Sequence, residues 1–328
     1  MKILIRLPNW LGDVVMSTAF IKAVKQLYPE ARIDVIIKKE LGDIAALISG
    51  IYTVHLFSKQ EYSGLAGAYR FGKKMRSKKY DLFFNLPTSL TSAAMAWATR
   101  AAKRIGFGTE GGFFLLTNAY KKPANVHRVD EYISLLEQFT KHAINNRQVK
   151  LSPDLLPGSN KKVLINFNSE ASSRRMPLHK GKGLINLLTT EFPGVTFTFI
   201  GSAKERAFIE EICESTQNPD RIENTAGKTN LTELCKLMAG ATALLTTDSG
   251  PAHLANSLGT PVIVLFGAGN EQNTAPYNKT NLTVLRYGKL SCEPCVKNTC
   301  KLYGVPKCLE FIDNLNITTA LKLFLNAV

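Results

Sequence analysis

The chain has 328 residues, 45% hydrophobic and 20% charged, which at roughly 150 residues per domain suggests two domains and excludes a disordered or low-complexity protein. No apolar run approaches the roughly 20 residues needed to cross a bilayer, and Met1-Lys2-Ile3 lacks a secretory-signal pattern, so a cytoplasmic location is expected. The net charge of +15 is uneven, residues 1–155 carrying 23 basic and 12 acidic side chains and residues 156–328 carrying 18 and 14, so the first half is expected to face nucleic acid, an anionic membrane surface or an anionic substrate.

Along the chain, strand and helix patterns alternate, the signature of parallel sheets with helical crossovers. Lys2 to Leu7 reads as a strand that runs into Gly12-Asp13, with a helix expected over Met16 to Tyr28. Asp13 therefore falls at a strand's carboxyl end, where α/β proteins keep their chemistry. Further strands are expected at Arg32 to Ile37, Thr53 to Phe57 and Asp81 to Asn85. The stretch "GFGTEG", with Gly106, Gly108 and Gly111, satisfies the dinucleotide fingerprint. That motif needs a strand before it and a helix after it, and "AAKRI" and "GFFLL" supply neither, so a loop is expected.

The segment "NNRQVKLSPDLLPGSNKK", rich in Pro, Gly, Asn and Ser, reads as a linker and places the domain boundary at 155/156. After it come strands at Lys162 to Phe167, Thr196 to Ile200, Ala243 to Thr246 and Val262 to Phe266, and a helix over Ala203 to Thr216. The expected architecture is two doubly wound α/β domains, with room for the C-terminal helix to pack back on the first.

Several strand ends of the second half carry anion chemistry. In "TTDSGPAHLANSLG" the residues Asp248, Ser249 and Gly250 turn the chain and Pro251 opens a helix, whose free N–H groups and dipole suit a diphosphate; a plain helix cap by Asp248 or Ser249 is the competing reading. "FNSEASSRRMP" delivers Arg174 and Arg175, guanidinium groups suited to a departing diphosphate. "FIGSAKE" puts Glu205 where a carboxylate could take ribose hydroxyls, and "AGKTNLTEL" sets Lys228 and Thr229 before a helix. Four of six cysteines, Cys292, Cys295, Cys300 and Cys308, fall in one stretch that opens C-x2-C. A structural zinc on these four is one reading, free thiols or a redox-sensitive pair the other; Cys213 and Cys235 read as core.

Taken together, "RLPNWLGDVVMS", "KRIGF" with "HRVDEYISLL", "SSRRMP" and "DSGPAHLANSLGTPVIVLFG" resemble glycosyltransferase family 9, the ADP-heptose:lipopolysaccharide heptosyltransferases, over nearly the whole chain and in the same order. The resemblance implies a GT-B fold, with two Rossmann-like domains facing a central cleft, the first (1–155) binding the acceptor and carrying the base, the second (156–328) binding the nucleotide sugar. It implies an inverting single displacement that moves heptose from ADP-L-glycero-D-manno-heptose to the lipid A-linked inner core, with Asp13 as general base and Arg174 aiding the leaving group. By motif position, Ser169, Glu170, Arg175, Glu205, Lys228, Thr229, Asp248, Ser249, Gly250 and His253 would hold the donor. Arg6, Asn9, Gly12, Arg104 and Arg128, with Lys38 and Lys39 beside them, are the acceptor candidates. The family's K-x-W-P reads R-R-M-P here, with Met176 for Trp, and its P-G-A is Asn166-Phe167-Asn168, which leaves a different nucleotide sugar or glycan acceptor as the alternative. No D-x-D triplet occurs, so catalysis without a metal or other cofactor is expected. The expected enzyme is a monomer held at the inner face of the inner membrane by charge. A nucleic-acid-binding protein, suggested by charge alone, would need a recognisable module that the sequence lacks.

Overall fold

The computed structural model describes residues 1–108, 111–152 and 162–326. The chain divides into two units, Met1–Ser152 and Pro153–Val328. The boundary expected at 155/156, and Thr109-Glu110 of the glycine-rich decoy, lie outside the described residues.

In the first unit the strands are β1 (Lys2–Arg6), β2 (Arg32–Lys38), β3 (Thr53–Phe57), β4 (Leu82–Asn85), β5 (Lys103–Phe107) and β6 (Asn118–Tyr120), and the helices α1 (Leu11–Met16), α2 (Thr18–Leu27), α3 (Gly64–Lys74), α4 (Leu90–Thr99) and α5 (Arg128–Thr140). The second unit holds β7 (Lys162–Asn166), β8 (Thr196–Phe199), β9 (Ile222–Asn224), β10 (Ala243–Thr247), β11 (Val262–Phe266) and β12 (Leu282–Arg286). Its helices are α6 (Leu178–Glu191), α7 (Arg206–Cys213), α8 (Leu231–Ala239), α9 (Gly250–Ser257), α10 (Glu271–Thr274), α11 (Lys307–Glu310) and α12 (Asn314–Asn326).

Both sheets are parallel throughout. The first runs β3-β2-β1-β4-β5-β6 and the second β9-β8-β7-β10-β11-β12, so each unit independently has the 3-2-1-4-5-6 order of a doubly wound Rossmann sheet. Ligands of such sheets bind beyond the carboxyl ends of the strands where the order reverses. Here those points are β1/β4 and β7/β10.

The central strands form because their residues can be buried on both faces. Ile3, Leu4, Ile5 in β1 and Val163, Leu164, Ile165 in β7 are fully buried, the pattern of a strand covered by helices on each side. Two differences from the sequence reading have local causes. The helix expected over Met16 to Tyr28 is α2, which begins at Thr18 and is parted from the earlier α1 at Ser17, where the Ser17 and Thr18 hydroxyls donate back to the Val14 and Val15 carbonyls at 2.7 Å. Such back-bonding competes with the helical ladder and bends it. The glycine-rich stretch does follow a strand, β5, which places Gly106 inside that strand; after it comes a short turn at Phe113–Leu115 and then β6, not a helix. As for the C-terminal helix α12, its Ile317, Leu321 and Leu325 belong to the core of its own, second unit.

Candidate active site

In the first unit, α1 begins at Leu11, earlier than the sequence suggests, so Asp13 sits in the helix's first turn just beyond β1. Its side chain is 23% exposed, with Oδ1 3.4 Å from Nε of Arg128. Arg128 opens α5 and donates through Nη1 to both carboxylate oxygens of Glu131 at 2.8 Å; Lys122 approaches Glu131 at 3.2 Å. The buried Tyr132 side chain faces Asp13 and lowers its proton affinity. Burial raises the proton affinity of Asp13 above the usual carboxylate range, Arg128 opposes that rise, Glu131 adds to it, and Tyr132 and Lys122 oppose it. A carboxylate that holds a proton better than usual is what a general base requires.

The acceptor candidates are placed differently from one another. Arg6 departs from expectation: it is 3% exposed, donates to the carbonyls of Leu7 and of Ile36 (3.3 Å) and to Asn9 Oδ1 (2.6 Å), and lies over the Phe57 ring. Burial alone pulls its pKa down to about 10. Arg6 thus ties down the loop after β1 and orients Asn9. Arg104 pairs in register with Phe83, two residues before the carboxyl-end row of Arg6, Asn85 and Gly106, and donates to the Leu115 and Ala101 carbonyls at 3.1 and 2.9 Å. That register places it short of the strand's carboxyl end. Arg128 is Asp13's partner, Gly12 is buried within α1, and Lys38 lies 3.8 Å from Glu40.

In the second unit the loops after β7 and β10 are sewn together at the switch point. Asn166 donates from Nδ2 to Oγ1 of Thr246 (2.9 Å) and Oγ of Ser249 (2.8 Å), Asn168 donates to the Ile200 carbonyl (3.1 Å), and Thr247 Oγ1 donates to the Asn168 carbonyl (3.0 Å). Ser249 is engaged in this network, its hydroxyl donating to the Thr247 carbonyl at 3.1 Å, and its side chain does not cap α9. That answers the cap reading: the helix starts at Gly250-Pro251 and keeps its first N–H groups clear of a side-chain cap.

Beside this network, Nη1 of Arg174 lies 3.5 Å from Oδ2 of Asp248. Asp248 is 4% exposed; burial pushes its pKa up to about 6, against the pull of Arg174 and Arg286 and with a push from Glu271. Arg175 turns to a different task, donating to the Ser169 carbonyl at 3.1 Å and lying over the Phe208 ring. His253 is buried on α9, Ser169 is buried and Glu170 exposed.

Two donor candidates have structural employment that the sequence reading missed. Glu205 accepts the Ser202 amide (2.7 Å) and hydroxyl (2.8 Å) through one oxygen, a capping box at the turn before α7. The Lys228 ammonium donates to the Asn224 carbonyl at 2.9 Å. Thr229 precedes Asn230, which caps α8.

Sequence reasoning passed over Tyr132, Asn166 and Arg286. Arg286 ends β12 and donates to the Gly267 carbonyl (2.7 Å), the Gly269 carbonyl and the Glu271 carboxylate (3.0 and 2.5 Å). The alternating "LTVLR" would have revealed its strand and therefore its position at the sheet's carboxyl edge. All four clustered cysteines border one cavity of about 20 Å³, together with Ser173, Ala268 and Glu293. Among the described residues no group of three or more His, Cys, Asp or Glu side chains is arranged to hold a metal ion.

Comparison with known proteins agrees with this geometry. The family model for glycosyltransferase family 9 (heptosyltransferase) matches residues 68–305. The lipopolysaccharide core heptosyltransferase OpsX of Haemophilus influenzae is 28% identical over 293 residues, covering 84% of this chain and 82% of the relative. The lipooligosaccharide heptosyltransferase 2 of the same organism is 29% identical over 315 residues, covering 87% and 88%. The solved structure of the Escherichia coli ADP-heptose lipopolysaccharide heptosyltransferase II superposes with a TM-score of 0.82 at 23% identity, over 100% of this chain and 99% of that one, which shows a shared GT-B fold. The chain, with its two Rossmann-ordered sheets, belongs to glycosyltransferase family 9, the heptosyltransferases.

Proposed function

We propose that the protein transfers a heptose from ADP-L-glycero-D-manno-heptose to the inner core of a lipid A-linked oligosaccharide, with inversion at the anomeric carbon. The observation that carries the reading is Asp13: a partly buried carboxylate of raised proton affinity, beyond the first strand at the switch point of its sheet. In the proposed step the acceptor hydroxyl oxygen bonds to the anomeric carbon while its proton passes to Asp13. The bond from that carbon to the diphosphate oxygen breaks, and its electron pair leaves with ADP. Arg174 takes up the growing negative charge on the departing diphosphate, the role a metal clamp fills elsewhere, and the free N–H groups at the start of α9 add to it. Asp248, Ser249 and His253 border the same place and would contact the sugar and phosphates. Asn9, aimed by Arg6, would be an acceptor-side contact.

The basic excess of the first half would hold the enzyme to the anionic surface that bears its acceptor, at about 1 kcal/mol per well-placed cation. A second reading, transfer of a different nucleotide sugar, is motivated by the R-R-M-P loop, in which Met176 is 1% exposed and packs in the core instead of bordering the donor.

A mass-spectrometric transfer assay on lipid A-linked core acceptor, offering ADP-heptose beside other ADP-, GDP- and UDP-sugars, tests both. Turnover with ADP-heptose that falls about 10²- to 10⁴-fold in Asp13→Asn is expected. No turnover with ADP-heptose sinks the first reading, and turnover with another sugar nucleotide establishes the second.

A further inference from the structure

The cysteine-rich loop has no part in the proposed chemistry, yet it is fastened to both halves of the Arg174–Asp248 pair. On one side it grips the turn that carries Arg174. The Ser173 amide donates to the Asn298 carbonyl at 3.1 Å, the Ser173 hydroxyl to the Lys297 carbonyl at 2.5 Å, and the Ser172 hydroxyl to the Asn298 carbonyl at 3.3 Å. On the other side it grips the turn after β11: the Val296 amide donates to the Ala268 carbonyl at 2.8 Å. That second turn bears on Asp248 directly, because a Cβ at Gly269 would run into the Asp248 carboxylate.

Arg286 closes the assembly. It holds the Gly267 and Gly269 carbonyls on either side of Ala268 and pairs with Glu271 at the start of α10. Its Nη1 also lies 3.4 Å from Glu293 of the cysteine loop, whose carboxylate accepts the Gly288 amide at 2.8 Å. With 14% of its side chain exposed, Arg286 is a fork used on every prong. Removing it would leave two carbonyls and two carboxylates, one of them the 3%-exposed Glu293, without their shared donor, the situation in which buried polar groups are costly.

We propose that residues 286–298 form a clamp that sets the distance between Arg174 and Asp248, with Arg286 as the positioning residue on the Asp248 side and Ser173 the point of attachment on the Arg174 side. The proposal rests on the donor site described under Proposed function, but not on the identity of the sugar. The groups that bear on Asp248 are Arg174, Arg286 and Glu271; two of the three are therefore placed by the clamp. Loss of the Arg286 charge raises the proton affinity of Asp248 further, so Asp248 protonates at higher pH.

The test uses full-length protein in three forms, wild type, Arg286→Gln and Arg286→Lys, with Ser173→Ala as a lesser change should Arg286→Gln fail to fold. The titration midpoint of the Asp248 carboxyl is read by carbon-13 NMR without any substrate, and the donor KM and kcat are read separately. Expected are an Asp248 midpoint moved above about 6 in Arg286→Gln and partly restored in Arg286→Lys, and a donor KM raised about 10- to 100-fold, as when the outer partners of a site are removed, with a smaller change in kcat. Ser173→Ala should raise donor KM while leaving the melting temperature near wild type. An unmoved midpoint in a folded Arg286→Gln, or an unchanged donor KM in Ser173→Ala, overturns the clamp. Absence of transfer from ADP-heptose in wild type would count against the proposed donor alone, since the NMR midpoint needs no donor.

Discussion

At the residue scale, two carboxylates stand out for being held against their solvation. Asp248 carries the clearer sign: its pKa in the fold, about 6, lies above the ordinary 3.8. The folded state therefore binds more protons than the unfolded chain between those values, and stability falls as pH rises from about 4 to about 6. A group retained at a cost to folding is a marker of function. Asp13 is raised in the same direction by burial and restrained by Arg128, which makes Arg128 the natural probe. Arg128→Met removes the nearby cation and leaves Glu131 facing Asp13, so the proton affinity of Asp13 rises. The acid limb of the kcat/KM profile should move to higher pH, with lower activity at pH 6 than at pH 8 relative to wild type. An acid limb that stays in place would show that Asp13 is not the group titrating in it.

At the scale of elements, legibility followed burial on two faces. The strands β1, β4, β7, β10 and β11 sit inside their sheets, and their unbroken apolar runs were readable. The unread β6 and β9 are edge strands of three residues with exposed positions, β12 is only partly buried along its length, and β5, though interior, opens on the polar Lys103-Arg104 that breaks its apolar run. Arg286 was lost with β12. The burial of Arg6 was hidden for the opposite reason: in a strand buried on both faces, alternation does not say which way a side chain points. Asp13, Arg174 and Asp248 were legible because they stand just past strands that could be read, whereas the capping of Glu205 depends on Ser202 three residues earlier, a local contest between cap and ligand that composition does not decide. The turn after β11 offers an element-scale test. Gly269 does not have the left-handed backbone that would itself demand glycine, so Gly269→Ala tests only the space beside Asp248. A loss of about 1–3 kcal/mol in stability, read by denaturant melts, together with a raised donor KM, is expected; a neutral result on both would show that the turn yields without disturbing the carboxylate.

At the scale of the whole molecule, the same strand order is built twice and given different charge. The first 155 residues hold a net +11 and the rest +4, by the counts of basic and acidic side chains, and among the described residues no helix is long and apolar enough to cross a membrane. Association with a bilayer through that excess would be electrostatic, hence screened within roughly 8–10 Å at physiological salt. Sedimentation with vesicles containing phosphatidylglycerol should exceed that with pure phosphatidylcholine vesicles and should fall steeply as salt is raised. Equal binding to both would assign the positive charge another purpose.

The pairing of Arg174 with Asp248 has a thermodynamic consequence for the proposed donor uptake. A diphosphate arriving at Arg174 competes with a carboxylate already there and brings negative charge close to it. Asp248, its pKa raised to about 6 by burial, would then be pushed toward its protonated form, so the proposed nucleotide binding would draw a proton from solution and tighten as the medium becomes more acid. Departure of the nucleotide returns the proton. On the proposed function, the ion pair would thereby make nucleotide exchange a proton-coupled event, separate from the proton proposed to pass to Asp13.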